Sequence, residues 1–449
     1  MPQVPHIALL GLASLLPVAL AYPQNTVTNG ISSAAEPKFI FGAIGDSWGS
    51  GVTWKSSNQF DDNSDSCMRY KYAWSTVVND AYAQWTPNTS LEPGFEFKAC
   101  SGSHLGDDMM NQMDQLTRPK LVIMEAGGND ANFYPMADAC LFQKDHNKAY
   151  GTSYEDDSAE NPTGECRKEI NLVRGRLQEK NAEGNNNMQN TVEQTIHRWR
   201  DHKAVVGNEA SLFLLGYARF FGPDFDEACD KWNFNVFWGS GTQHVVSAMR
   251  KEFNELVGLM NDAIRMATES FNDVNIDYID IDPALQGHRF CEPGQSKYDQ
   301  LNWSNKVYLW NSPGKWFLTV KEGDHIETYD ADTDSSPSED TFNMLIEHPE
   351  GEPRQEGDDY ILAFRNPSVP DITMEWKITP QGSGNTGGSI ARTLHPTQDG
   401  HNRIGQIVTQ RLSQFYSRSD NPTIILPPNP PAPCPLGCTC GSSGVPLCT

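Results

Sequence analysis

Five short runs rich in β-branched and aromatic residues, at 38–44, 95–99, 121–126, 211–216 and 275–281, recur along the chain and read as strands. Helix-like patterns separate them. In the clearest, over 244–270, Val246, Met249, Phe253, Leu256, Met260 and Ile264 recur at spacings of three and four, with charged residues opposite. Strands that alternate with helices imply parallel neighbours, because each crossover brings the chain back in the same direction. A three-layer α/β/α domain is expected, and an apolar content of 38% over 449 residues can supply its core. Ile404, Val408, Leu412 and Phe415 mark a last helix after His395.

The ends of the chain read differently. An apolar run closing on Ala19-Leu20-Ala21 is too short to span a bilayer comfortably and is expected to be a secretory signal peptide over 1–21. No later stretch reads as a membrane helix, so the mature protein is expected to be soluble and extracellular. Its ten cysteines and the sequons at Asn88 and Asn302 suit an oxidising compartment in which disulfides form and glycans are added. The main domain is expected over 37–420. It contains an insertion at about 296–390, rich in Asp, Glu, Gly and Pro and without a clear period, that could form a lid. A proline-rich linker at 421–433 then leads to a tail at 434–449, whose Cys434, Cys438, Cys440 and Cys448 read as a small disulfide-stapled unit.

A net charge of −24 with no basic patch disfavours nucleic acid and anionic membrane surfaces as partners. There is no HExxH pattern, and the histidines are dispersed. The aspartates of "DYIDIDPAL" read as solvated or loop-end carboxylates, so neither a metal nor another cofactor is implied.

In a parallel sheet all strands end on one edge, where residues distant in sequence can meet around a ligand. Past the first run comes "GDSWGSG" with Ser47; past the second, "ACSGSHLGD" with Gly102; past the third, "EAGGNDANF" with Asn129. A serine hydroxyl needs a base to become a nucleophile, and the oxyanion formed at an acyl carbon needs preorganised donors. The amides of Ser47 and Gly102 and the Asn129 carboxamide could serve. Histidine is the natural base near neutrality. His395 stands out, because Pro396 biases it towards an extended conformation in the loop before the last helix. His401 is the fallback. Asp46 and Asp130 read as turn-stabilising acceptors, and His104 as solvent-facing or structural.

These residues resemble the SGNH (GDSL-type) hydrolase family: "GDSWGSG" is similar to its serine block, Gly102 to its glycine block, "GGND" to its asparagine block and "HPTQDGH" to its histidine block. "CMRYKYAW", "KACSGS", "NFYPMADAC" and "GHRFCEPG" resemble its secreted, disulfide-containing branch, and the resemblance spans roughly 37–295 and 391–417. It implies a flavodoxin-like five-stranded sheet of order 2-1-3-4-5, Ser47 as nucleophile, His395 as general base, and Ser47, Gly102 and Asn129 as the oxyanion hole. It also implies bridges of Cys67 with Cys100, Cys140 with Cys166 and Cys229 with Cys291. Many members carry Asp three residues before the histidine, where this chain has Arg392. Either a backbone carbonyl or an acid from the insertion is left to hold the Nδ1 proton.

Gly45-x-Ser47-x-Gly49 also satisfies the nucleophile-elbow pattern, but a serine after the first strand argues against that fold. The expected activity is hydrolysis of a carboxylic ester, on a small molecule or a polymer, through an acyl-serine. The alternative is a non-catalytic secreted binding protein on a hydrolase scaffold. Trp48, Trp54, Trp303 and Trp310 suit either the apolar acyl groove of a lipid esterase or the small aromatic-rimmed pocket of a carbohydrate deacetylase.

Overall fold

A computed structural model describes residues 38–52, 59–61, 66–87, 90–143, 148–180, 184, 187–223, 227–234, 243–300, 306–311, 314–330, 337–346, 348–351, 354–357, 359–380, 392–419, 438–440 and 446–448. The expected signal peptide, the sequons at Asn88 and Asn302, Trp54, Trp303 and the linker at 421–433 lie outside the described residues.

The five runs form one parallel sheet. Its strands β1 (Lys38–Gly45), β2 (Glu92–Phe97), β3 (Leu121–Glu125), β4 (Ser211–Leu215) and β5 (Ile276–Ile279) are ordered β2-β1-β3-β4-β5. Strand β1 sits between β2 and β3, with Ala43 opposite Phe97 on one side and Gly45 opposite Glu125 on the other. This register places the residues following the first three strands along one edge. The run expected at 95–99 is shifted: β2 begins at Glu92 and takes in Pro93 and Gly94, which read as turn residues. It is an edge strand, and a proline that cannot donate to a ladder is tolerated there.

Helices cover both faces. Helix Ser247–Ser270 buries Met249, Phe253, Leu256, Met260 and Ile264, the expected stripe, and packs with helices Glu165–Gln178 and Asn187–Arg200. Helix Gln398–Ser419 buries Ile404, Val408 and Leu412 and packs on helix Trp74–Asp80. Phe213 of β4 meets Phe415 of the last helix, with ring centroids 5.0 Å apart. Since successive strand side chains alternate faces, Leu212 and Leu214 point into the opposite layer. Burying each such side chain is worth about 1.5–3 kcal/mol. Among the described residues no helix is long and apolar enough to cross a membrane.

Between β5 and the last helix lies a second sheet, entirely antiparallel, ordered β7-β6-β10-β9-β8. It comprises β6 (Gly314–Glu322), β7 (His325–Asp330), β8 (Arg354–Glu356), β9 (Asp359–Arg365) and β10 (Ile372–Pro380). The expectation that this segment lacks a period is corrected by β10, where Met374, Trp376 and Ile378 are buried and alternate with Glu375 and Lys377. Phe342 and Leu345 of helix Glu339–Ile346 are buried with it, and the Phe342 ring meets Trp376 edge-on.

Disulfides join Cys67 to Cys100, Cys140 to Cys166 and Cys229 to Cys291. The first ties the segment beside the serine helix to the loop carrying Gly102. In the tail, β11 (Cys438–Cys440) pairs antiparallel with β12 (Pro446–Cys448).

Candidate active site

Strand β1 ends where it can approach β3 most closely. A Cβ at Gly45 would lie 2.2 Å from the Glu125 carbonyl oxygen, so only glycine fits the exit. Asp46 then caps a four-residue helix, Ser47–Ser50, by accepting from the Trp48 amide at 3.0 Å. Ser47 opens this turn, half-buried, and its amide has no partner among the described residues.

The glycine loop is bound to the serine loop. The Cys100 amide donates to the Gly45 carbonyl at 3.0 Å, and the Ser50 and Ser101 hydroxyls lie 2.9 Å apart. Gln112, on helix Asp107–Met113, accepts from the Gly45 amide at 2.8 Å and donates to the Gly45 carbonyl at 2.9 Å and to Ser103 Oγ at 3.0 Å. Gly102 has φ +84° and open space where a Cβ would be, so its backbone conformation rather than crowding calls for glycine. Its amide, too, has no partner among the described residues.

The asparagine loop completes the edge. Asn129 Nδ2 donates one proton to the Ser103 carbonyl at 2.9 Å, which fixes the carboxamide and leaves its second proton available. Asp130 accepts from the Leu105 amide at 3.1 Å, a bond between loops in keeping with its turn-stabilising reading.

His395 reaches this edge from the opposite end of the sequence. Its Nε2 lies 2.6 Å from Ser47 Oγ and its Nδ1 3.0 Å from the Thr393 carbonyl oxygen. A carbonyl can only accept, so Nδ1 carries the proton and Nε2 presents a lone pair to the serine hydroxyl. Burial pushes the imidazole down to about 4, against the smaller upward pull of the Thr393 and Arg392 backbone. The ring is therefore neutral at pH 7.

Of the two ways left open to hold Nδ1, the geometry uses the carbonyl. Among the described residues no carboxylate hydrogen-bonds His395. Arg392, where many members of the resembled family have Asp, is fully buried with its guanidinium 4.2 Å from the Trp310 ring centroid. The loop is otherwise held by main-chain bonds: Trp310 N to His395 O, Leu394 N to Trp310 O and Thr397 N to Tyr308 O, at 2.8–2.9 Å.

The fallback His401 is fully buried on the last helix, and neither ring nitrogen has a partner among the described residues. Burial pushes it down to about 3. His104 is exposed, 3.7 Å from Asp108. In "DYIDIDPAL", Asp282 is buried and paired with Arg219 and Arg289, and Asp277 pairs with Arg411 at 2.5 Å. Reading these as solvated or loop-end groups missed the arginines brought in from other elements.

Two buried carboxylates lie behind the serine. Asp46 is raised to about 7, chiefly by burial, against hydrogen bonds from Tyr217 and Trp48. Glu125, whose Oε2 accepts from Trp74 Nε1 at 2.5 Å, is raised well above the carboxylate range by burial and by Asp46. Gln112 and Tyr217 were missed in the sequence. Gln112 betrays itself as a polar residue on the buried face of "DDMMNQM", and Tyr217 as the second residue past β4 on the same edge.

No known protein-family model matches the chain. A curated relative, Lipase 1 of Streptomyces coelicolor, is 32% identical over 121 residues, which is 25% of this chain and 40% of the relative. The chain thus matches well under half of that relative's length. Among solved structures, an extracellular lipase from Streptomyces rimosus aligns with a TM-score of 0.40 at 20% identity, covering 57% of this chain and 85% of that one. Phospholipase A1 from Streptomyces albidoflavus NA297 aligns with a TM-score of 0.40 at 22% identity, covering 57% and 84%. In its sheet order and in the sequence and placement of its four blocks, the chain resembles the SGNH hydrolases.

Proposed function

We propose that the protein is a secreted serine esterase that hydrolyses carboxylic esters through an acyl-serine intermediate. The observation that carries this reading is the 2.6 Å contact of His395 Nε2 with Ser47 Oγ, with the imidazole tautomer fixed by the Thr393 carbonyl. Ser47 attacks the ester carbonyl carbon as its proton passes to Nε2. The oxyanion is met by the amides of Ser47 and Gly102 and the second proton of Asn129 Nδ2. His395 then protonates the departing alcohol, leaving the acyl group on Ser47. Water attacks next, its proton goes to Nε2, and collapse releases the acid and returns the proton to Ser47. Transfer of the acyl group to another alcohol is the same chemistry with a different acceptor.

A neutral carbonyl behind Nδ1 stabilises an imidazolium less than a carboxylate does, so the neutral ring is a weaker base towards Ser47 and the imidazolium, once formed, a stronger acid towards the leaving alcohol. The substrate is a lipid ester or an acetylated carbohydrate. The lipase name of the curated relative favours the lipid. Three disulfides suit the oxidising environment that secretion provides.

The test is labelling of folded protein with a fluorophosphonate probe, alongside turnover of short-chain esters, long-chain esters and acetylated sugars. Labelling that disappears in Ser47→Ala, with turnover of at least one ester class, is expected. A folded protein that neither labels nor turns over any of them is a binding scaffold.

A further inference from the structure

We propose that Tyr217 is a positioning residue for this site, its hydroxyl coupling the loop that carries Ser47 to the loop that carries Asn129. The inference rests on the esterase reading and adds a residue that the four blocks do not contain.

Tyr217 is the second residue past β4 and is buried, 3% exposed. Its main chain is clamped from the long helix: Tyr217 N donates to Asn261 Oδ1 and Asn261 Nδ2 donates to Tyr217 O, both at 2.8 Å. The ring meets Trp48 edge-on, with centroids 5.4 Å apart. With backbone and ring fixed, the hydroxyl has a defined place.

That place is a junction. The single hydroxyl proton is donated to Asp46 Oδ2 at 2.6 Å, and an oxygen lone pair accepts from the Gly128 amide at 3.2 Å. The other Asp46 oxygen accepts from the Trp48 amide. One chain of bonds therefore runs from Gly128, next to Asn129, to Trp48, next to Ser47. A Cβ at Gly128 would lie 3.5 Å from the Tyr217 ring and 3.6 Å from Asp46 Oδ2, so the two loops meet across this phenol. The nucleophile and two oxyanion donors belong to these loops, and a displacement near 1 Å costs about 100-fold in rate. A purely structural tyrosine would lower stability and leave the balance between binding and turnover unaltered.

The experiment measures kcat, KM, the rate of fluorophosphonate labelling and thermal melting of the full chain, with p-nitrophenyl acetate as substrate. The variants are Tyr217→Phe, Asp46→Asn and the double variant. Tyr217→Phe keeps the ring and its contact with Trp48. It is expected to lower kcat and the labelling rate about 10- to 100-fold, the scale of buried polar groups left without their partner, with KM within about twofold. In the Asp46→Asn background the same change is expected to cost less than about threefold, because the link is already weakened. A folded Tyr217→Phe with wild-type kcat, or with its loss confined to KM, overturns the inference while the esterase reading stands. If Tyr217→Phe fails to fold, a folded Asp46→Asn with wild-type kcat overturns it equally. A wild type that neither labels nor turns over ester overturns the esterase reading and this inference with it.

Discussion

The loop that delivers Ser47 and the loop that delivers His395 meet where His395 Nε2 faces Ser47 Oγ and its ring lies 6.2 Å from that of Trp48, but they are held by different means. The serine loop adds to its main-chain bonds, Asp46 N to Glu125 O and Cys100 N to Gly45 O, a set of side chains from elsewhere in the fold: Gln112 bonds both polar groups of Gly45, and Tyr217 bonds Asp46. The histidine loop is fixed largely by main chain, through Tyr308, Trp310 and the Thr393 carbonyl. A chain that lacks an acid behind its histidine can still set the tautomer, because a backbone acceptor does that part of the work. What it gives up is charge stabilisation of the imidazolium. Point substitutions should therefore damage positioning on the serine side far more readily than on the histidine side.

The largest effects are expected at the two groups proposed to react: Ser47→Ala and His395→Ala should each lower kcat at least about a thousandfold. An ester assay with burst-phase detection checks this, and an active His395→Ala would remove one arm of the comparison. Gln112→Leu comes next. It strands the Gly45 amide in a buried site and leaves the Gly45 carbonyl only the Cys100 amide, and should cost about 10- to 100-fold in kcat and lower the melting temperature by a few degrees. Trp310→Ala removes the ring over Arg392 but keeps both main-chain bonds to the histidine loop. Its kcat should fall less than about tenfold, with the larger effect on melting. If Trp310→Ala loses more kcat than Gln112→Leu, the contrast between the two loops is wrong.

The pH dependence sharpens the same contrast. With His395 held at about 4 by burial, kcat/KM should persist at pH 5 and fall only as pH approaches 4. A limb at the ordinary imidazole value, about 6.5, would mean that the loop does not keep its ring from water. Burial also holds His401 down, to about 3. The unfolded chain thus takes up these protons first. The contribution of both rings to stability is full above about 6.5 and is lost as pH falls towards 4 and then 3. His401→Gln should flatten this acid-side loss in melting experiments while changing kcat less than about threefold, the smallest effect in the series.

Much of the fold was legible because a strand buried on both faces leaves a nearly continuous apolar run, as Leu121–Glu125 and Ser211–Leu215 do. The second sheet was not. Its strands alternate buried and exposed residues within a segment whose acidic, glycine and proline content reads as loop, and Met374, Trp376 and Ile378 carry the signal only when taken two by two. At the candidate site, Ser47, Gly102, Asn129 and His395 were singled out because each follows a strand or precedes a helix in a short glycine- or proline-marked stretch, and His395 does lie 2.6 Å from Ser47. The Nδ1 partner could not, since a main-chain carbonyl leaves no residue type to read, and Arg392 occupies the place where a side chain would have announced itself.

The most direct measurement is 15N nuclear magnetic resonance of the His395 ring in the folded protein between pH 5 and 8. A neutral ring protonated at Nδ1, with Nε2 bare towards Ser47 throughout that range, is the expected result. A ring protonated at Nε2, or an imidazolium already formed at pH 6, would contradict the account.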